Sequence, residues 1–309
     1  MNLFIYSCFV IIGFILLVKG ADFFVDGAAG IAARLGIPQL IIGLTIVAMG
    51  TSAPEAAVSI TAAISGNADI TIGNIVGSNI LNTFIILGLS SVIVPIAVAK
   101  STVIFEIPYM IVCSILLLIL GYDKRINFWD GVILWIAFII YLIYLFRNAK
   151  KNKEKDQEGQ HASGIRQIVF IVGGLIAIIL GSKIAVYGAS EIARLVGISE
   201  RFIGLTIVAL GTSLPELFTS VTAARKGNAD IAIGNIVGSN IFNILFVVGT
   251  TSLITLVPFD TKFIVDSFVV IFSGVLLLLC VCSNKRLSRR GGVIMLLCYL
   301  AYFIYLCLV

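Results

Sequence analysis

Gly43–Asn82 reads GLTIVAMGTSAPEAAVSITAAISGNADITIGNIVGSNILN, and Gly204–Asn243 reads GLTIVALGTSLPELFTSVTAARKGNADIAIGNIVGSNIFN; 30 of the 40 positions are identical without a gap. The offset is 161 residues, and it also pairs Gly20 with Gly181, Gly27 with Gly188 and Gly36 with Gly197. The copies therefore fill nearly the whole 309-residue chain, at a period far too long for a solenoid. Each half holds five apolar segments: roughly 3–34, 38–64, 70–97, 102–120 and 127–146, then 165–195, 199–224, 231–258, 263–282 and 291–308. Each meets the roughly 17–25 residues that cross a bilayer. An odd number of spans per copy makes the copies insert in opposite senses. The expectation is an all-α integral membrane protein with ten transmembrane helices in two inverted-topology five-helix repeats. The repeats are residues 1–148 and 166–309, with cores 43–82 and 204–243, joined by a linker at 149–165.

Composition agrees. Hydrophobic residues make up 60% and charged residues 12%, about half the charge of a soluble domain. That excludes a soluble globule, a disordered chain and a coiled coil. The long unbroken apolar runs exclude an outer-membrane barrel. The net charge of +5 points to cytoplasmic loops and not to nucleic acid. The one polar break, Arg147 to Arg166, carries Lys150, Lys151, Lys153, Glu154, Lys155, Asp156 and Glu158 and reads as a solvated linker. With that linker in the cytoplasm and both termini outside, 15 Lys and Arg fall inside and 6 outside. The matched hairpins sharpen the assignment. Ile64-Ser65-Gly66-Asn67 is neutral, whereas its copy Arg225-Lys226-Gly227-Asn228 is basic on the side placed inside. The first apolar run lacks a basic start, and its copy is internal, so it reads as a span and not as a signal peptide. The setting is a cell (inner) membrane, with the lipid bilayer as the main partner and no obligate protein partner.

The best-matched part of the copies is also the least membrane-like. Glu55 and Glu216 lie near the middle of their runs, where a carboxylate costs about 2.5–3.5 kcal/mol. No Lys, Arg or His shares their segments at that depth, so a mobile cation or a proton should neutralise them. Pro54 and Pro215 lack an N–H and clash with the carbonyl four residues back. They predict broken helices at a central ion site, with carbonyls freed around Ala48–Gly50 and Ala209–Gly211. Thr51, Ser52, Thr212 and Ser213 add hydroxyls. Ser78, Asn82, Ser239 and Asn243 add oxygens from the neighbouring helix; Ser78 and Asn82, four apart, share a face. Asn79 points about 100° away, toward packing or hydrogen bonding. This all-oxygen set selects hard cations, Ca2+, Mg2+, Na+ or H+.

Other polar residues read as structural. Gly73 with Gly77, and Gly234 with Gly238, are close-contact pairs that bring the third helix near the second. Asp69 and Asp230 are expected to cap their helices, Glu106 and Asp266 to sit at the interface, and Asp22 and Asp26 to be peripheral. The six cysteines, Cys8, Cys113, Cys280, Cys282, Cys298 and Cys307, lie in apolar runs and read as packing residues. His161 is the only histidine and sits in the linker, which removes His-based zinc sites and Ser-His-Asp triads. A lipid-phosphate hydrolase needs basic groups at depth, and none is present. A channel repeats one element around an axis, which suits this inverted pair less well than alternating access does.

The doubled Gly-Thr-Ser-x-Pro-Glu motif, at Gly50–Glu55 and Gly211–Glu216, and the doubled Gly-Asn-x-x-Gly-Ser-Asn motif, at Gly73–Asn79 and Gly234–Asn240, resemble the α-repeats of the Ca2+/cation antiporter superfamily. They are closest to the Na+/Ca2+ exchangers and their short prokaryotic relatives. The resemblance implies a secondary active antiporter, not an enzyme, with no cofactor and with Ca2+ and Na+ as transported ions. It implies Ca2+ coordination by Glu55 and Glu216, and backbone or hydroxyl ligation by Ala48, Thr51, Ala209 and Thr212. It further implies Na+-site hydroxyls at Ser52, Ser78, Ser213 and Ser239, and a flanking polar pair at Asn82 and Asn243. Proton-coupled members have Gly-Asn-Ala in place of Gly-Thr-Ser, so Na+ is the expected counter-ion and Ca2+/H+ (or other divalent cation/H+) exchange the alternative. K+-dependent members have Asp where this chain has Asn243. The linker has no room for the large regulatory loop of animal exchangers. In the family the long first and sixth helices slide against the rest. Gly13, Gly20, Gly27 and Gly30, with Gly181 and Gly188, fit a smooth surface for that.

Overall fold

A computed structural model describes residues 2–151, 164–197 and 209–308. The linker stretch 152–163 with His161, and residues 198–208 with Arg201 and the start of the expected seventh span, lie outside the described residues. The helices are α1 (Asn2–Leu35), α2 (Gln39–Thr51), α3 (Ala53–Ile64), α4 (Ile70–Ile93), α5 (Thr102–Asp123), α6 (Phe128–Lys151), α7 (Gly164–Leu195), α8 (Ala209–Thr212), α9 (Leu214–Arg225), α10 (Ala229–Ile254), α11 (Lys262–Cys282) and α12 (Arg289–Leu308). Among the described residues eight helices are long and apolar enough to cross a membrane, or nine with α2 and α3 counted as one broken span.

That break falls where proline chemistry places it. The two segments meet at 48°, with Pro54 in the first turn of α3, where a missing N–H is tolerated. Pro215 occupies the same place in α9. The unwinding is narrower than expected. The Ala48 carbonyl keeps a bond from the Ser52 amide at 3.0 Å, and the Ser52 carbonyl takes the Ala56 amide at 3.1 Å. Proline deprives only the carbonyl four residues before it, that of Gly50.

Two helices form the interior. In the apolar window of α10, 94% of residues are buried, and in that of α4 78%, against 17% in α1 and α12. Polar groups at the centre of the sequence copies are thereby lifted out of lipid and into protein. The second-half glycines work across the repeat boundary and not within their own half. A Cβ on Gly238 would lie 2.8 Å from the Leu44 carbonyl and from the Ala48 side chain, and one on Gly234 3.0 Å from the Leu40 carbonyl. α10 is thus pressed against α2 of the other copy, and that contact joins the halves. Each interior helix also carries a π turn, at Leu81–Leu87 and Asn243–Val248; an added residue in a turn re-aims the side chains around it.

α1 and α7 lie against each other in antiparallel register, Gly13 beside Gly181 and Ala185, Gly20 beside Gly174 and Ile178. A Cβ on Gly13 would lie 2.6 Å from the Ala185 nitrogen and 2.7 Å from the Gly181 oxygen. The glycine stripe expected to face the rest of the protein instead seals these two helices backbone to backbone.

The chain is not purely helical. Ile96–Ala97 (β1) pairs with Arg286–Leu287 (β4), and Arg125–Ile126 (β2) with Val257–Pro258 (β3), both antiparallel. Each bridge joins a loop of one half to a loop of the other. The six cysteines are free; Cys113 is buried, whereas Cys282 and Cys307 are exposed.

Candidate ion-binding site

The two breaks face one another, so each half serves the acid of the other. Ser52 Oγ donates to Glu216 Oε1 at 2.9 Å. The Thr51 side chain lies within hydrogen-bond reach of Glu216, and that of Thr212 within reach of Glu55. Both acids are 1% exposed, and the charge of Glu216 acts on Glu55. No basic side chain pairs with either among the described residues. One oxygen of each, Glu55 Oε2 and Glu216 Oε2, has no hydrogen-bond partner although it is buried.

The asparagines are held so that their oxygens stay available. Asn82 Nδ2 donates to Asn240 Oδ1 and Asn243 Nδ2 to Asn79 Oδ1, both at 3.1 Å. With the amide nitrogens so engaged, Asn82 Oδ1 and Asn243 Oδ1 remain buried and unpartnered. Asn79 therefore has the hydrogen-bonding role read from its position, donating also to the Asn240 carbonyl at 3.2 Å. Ser213 Oγ is a further buried oxygen without a partner. Ser239 Oγ reaches the Ala48 carbonyl at 3.3 Å, and Ser78 is buried beside Asn79 and Asn82. The side chain of Ala209 lies outside what is described. An orphaned buried oxygen costs about 1–3 kcal/mol, and more when charged. Five such oxygens fall on residues singled out by the repeat.

A second tier braces this locus, and the sequence reading passed over it. Asn74 Nδ2 donates to the Glu55 carbonyl at 3.2 Å and to Ser59 Oγ at 2.9 Å. Asn235 Nδ2 does the same for the Glu216 carbonyl at 3.4 Å and Ser220 Oγ at 2.9 Å. Asn235 Oδ1 in turn accepts the Thr51 hydroxyl at 2.9 Å. The signal was present, since both asparagines stand in the repeated Gly-Asn motif. Ser182 Oγ, which donates to the Gly211 carbonyl at 2.6 Å, had no such signal, because its counterpart is Ala21.

A cleft of about 540 Å³ runs between α7 and the two breaks, lined by Pro54, Val58, Ser182, Lys183, Tyr187 and Thr212. Thr212 and Pro54 are half-buried there, whereas their counterparts Thr51 and Pro215 are buried. The positions equivalent to Lys183 and Tyr187 are Asp22 and Asp26. They are not merely peripheral: Lys226 Nζ reaches Asp26 Oδ1 at 2.7 Å and Asp22 Oδ1 at 3.3 Å. This three-residue clasp ties α1 to the basic hairpin after α9. Glu106, near the start of its span, is wholly buried, with Tyr144 donating to its Oε1 at 2.9 Å. Asp230 makes no capping bond, and the Asp69 side chain lies outside what is described.

A family model described as Sodium/calcium exchanger protein matches residues 5–147 and 166–308. The sodium/calcium exchanger MaX1 of Methanosarcina acetivorans is 31% identical over 96% of this chain and 97% of its own. Inner membrane protein YrbG of Escherichia coli is 35% identical over 81% and 80%. Among solved structures, that of the sodium-calcium exchanger NCX_Mj soaked with zero Na+ and Ca2+ superposes with a TM-score of 0.86 at 32% identity, covering 98% of this chain and 99% of that one. Two of these relatives are exchangers by name and the third an inner membrane protein, and the apolar helices make this chain a multi-pass integral membrane protein. The chain belongs to the sodium/calcium exchanger protein family.

Proposed function

We propose that the chain exchanges Na+ for Ca2+ across a cell (inner) membrane by alternating access. The observation that carries this reading is a pair of buried carboxylates, one from each copy and near enough to interact, with a hydroxyl of one copy bonded to the acid of the other. Glu55 and Glu216 hold Ca2+, with Thr51, Thr212 and the Ala48 and Ala209 carbonyls completing its shell. Ser52, Ser78, Ser213 and Ser239, with the acids, hold Na+; Asn82 and Asn243 flank the centre. Empty, the site would move two bare charges through low dielectric, so the carrier reorients only when loaded. Competition for the same two acids then couples the fluxes. The comparisons support Na+ and Ca2+ as the transported ions through the names of the relatives. The test is Ca2+ uptake into proteoliposomes under a Na+ gradient at uniform pH, compared with a pH gradient without Na+.

The wider architecture follows the same proposal: ten spans in two inverted repeats, a cytoplasmic linker and both termini outside. In that orientation the cleft opens to the outside, and the Lys226 clasp closes the inner face. Replacing Lys226 with Met removes the clasp and lets the inner face open more often. The groups are partly exposed, with side chains 28% to 51% accessible, so the effect is modest. Apparent affinity for external Ca2+ should fall about two- to fivefold, measured as the Ca2+ dependence of initial uptake. No change would show that the ion pairs do not set the resting state.

A further inference from the structure

Away from the central site, α5 begins with a π turn over Thr102–Glu106. Glu106 is 0% exposed. Its Oε1 accepts the Tyr144 hydroxyl at 2.9 Å, and its Oε2 has no partner. Two further hydroxyls, Thr102 Oγ1 and Tyr141 OH, are likewise buried and unpartnered. Thr102 lies beside the Glu106 carboxyl, and Tyr141 lies within its electrostatic reach. Ring stacking fixes the phenols: Tyr144 on Phe105 at 3.8 Å and Tyr141 on Tyr109 at 5.2 Å between centroids.

The titratable groups that bear on this pocket are Asp230 of α10, the tyrosines Tyr109, Tyr141 and Tyr144, and Cys113. Among the described residues none carries positive charge, and the charged neighbour, Asp230, is a second acid that makes no capping bond of its own. The position equivalent to Glu106 is Ser267, so the other half lacks a carboxylate at that place. A wholly buried carboxylate beside two idle hydroxyls, with only another acid near it among the described residues, is a set of hard oxygens without a cation.

We infer that Glu106, Thr102 and Tyr141, with Asp230 within electrostatic reach, form a second hard-cation site, distinct from the Glu55–Glu216 centre and present in only one half of the chain. One buried carboxylate balances Na+, and Asp230 supplies the second charge that Ca2+ needs. Both ions share the oxygen chemistry, and the experiment separates them.

The full chain carrying Glu55→Gln and Glu216→Gln lacks the central acids, so binding that remains reports the second site alone. Equilibrium binding of 22Na+ and, separately, 45Ca2+ to this purified variant should show one saturable ion per chain for at least one of the two. Adding Glu106→Gln should abolish it. Adding Tyr141→Phe, which deletes one hydroxyl, should weaken it about tenfold. In the otherwise unaltered chain, Glu106→Gln should lower the total of bound ions by one while central binding persists. Absence of saturable binding of both ions in the double variant would overturn the inference. So would binding that survives Glu106→Gln, or an infrared band of a protonated carboxylic acid, lost in Glu106→Gln, that neither ion perturbs.

Discussion

Glu55→Gln and Glu216→Gln each abolish Na+-driven 45Ca2+ uptake. Glutamine keeps the shape and one acceptor oxygen, so the 2.9 Å bond from Ser52 to position 216 survives, and so do the asparagine braces on the backbone carbonyls. What goes is one negative charge of two, in a pocket where both residues are 1% exposed. At an effective dielectric near 20, one contact between unit charges about 4 Å apart is worth about 4 kcal/mol, or roughly a thousandfold in affinity. The remaining carboxylate cannot neutralise a divalent ion, and the loaded complex then carries net charge into low dielectric, which also slows reorientation. Since the acids sit at equivalent places, the two variants should fail alike. Uptake retained in either would remove that residue from the site. The assay is initial uptake into proteoliposomes, with protein yield and melting temperature confirming a folded carrier.

Gly13→Ala and Gly181→Ala each destabilise the protein, by about 1–3 kcal/mol as overpacking does elsewhere. The added methyl group meets backbone and not a side chain that could swing aside: 2.7 Å to the Gly181 oxygen in one case, 2.8 Å to the Gly13 oxygen in the other. α1 and α7 must then separate along their length. In lipid their association rests on this close packing, because burial of apolar surface gains little between helices there. Gly173→Ala is the control. It lies on the same helix, meets nothing within 4 Å, and exchanges a poor helix former for a good one, so melting should stay level or rise. Thermal unfolding in detergent, followed by intrinsic fluorescence, measures all three. The same geometry bears on transport: two helices sealed backbone to backbone move as one body, so any sliding belongs to the pair and not to either helix alone.

The parts of the fold legible in sequence are those where chemistry repeats or where one residue acts on its own backbone. The 161-residue copy places Glu55 and Glu216 at matching depths, and Pro54 marks a bend of 48°. The rest depends on partners far apart in the chain. The partner that Gly238 finds in α2 of the opposite half, and the pairing of β1 with β4, are contacts between copies, which a comparison of one copy with the other does not contain. The Lys226 clasp joins residues about 200 positions apart and exists only because the copies differ at Asp22, Asp26 and Lys226. Reading what the halves share led to the site and past that clasp. Glu106 is a related case. Its position near the start of a span sets its depth in the bilayer, whereas its burial depends on the partner helix, whose Tyr144 bonds its carboxyl and stacks on Phe105.

The central claim is that Na+ and Ca2+ compete for one pair of carboxylates and are thereby exchanged. Proteoliposomes loaded with Na+ and diluted into Na+-free medium at the same pH should take up 45Ca2+. Uptake should cease when the Na+ gradient is abolished, and a pH gradient alone should drive none. Uptake driven by the pH gradient and indifferent to Na+ would contradict the claim and make the chain a Ca2+/H+ exchanger.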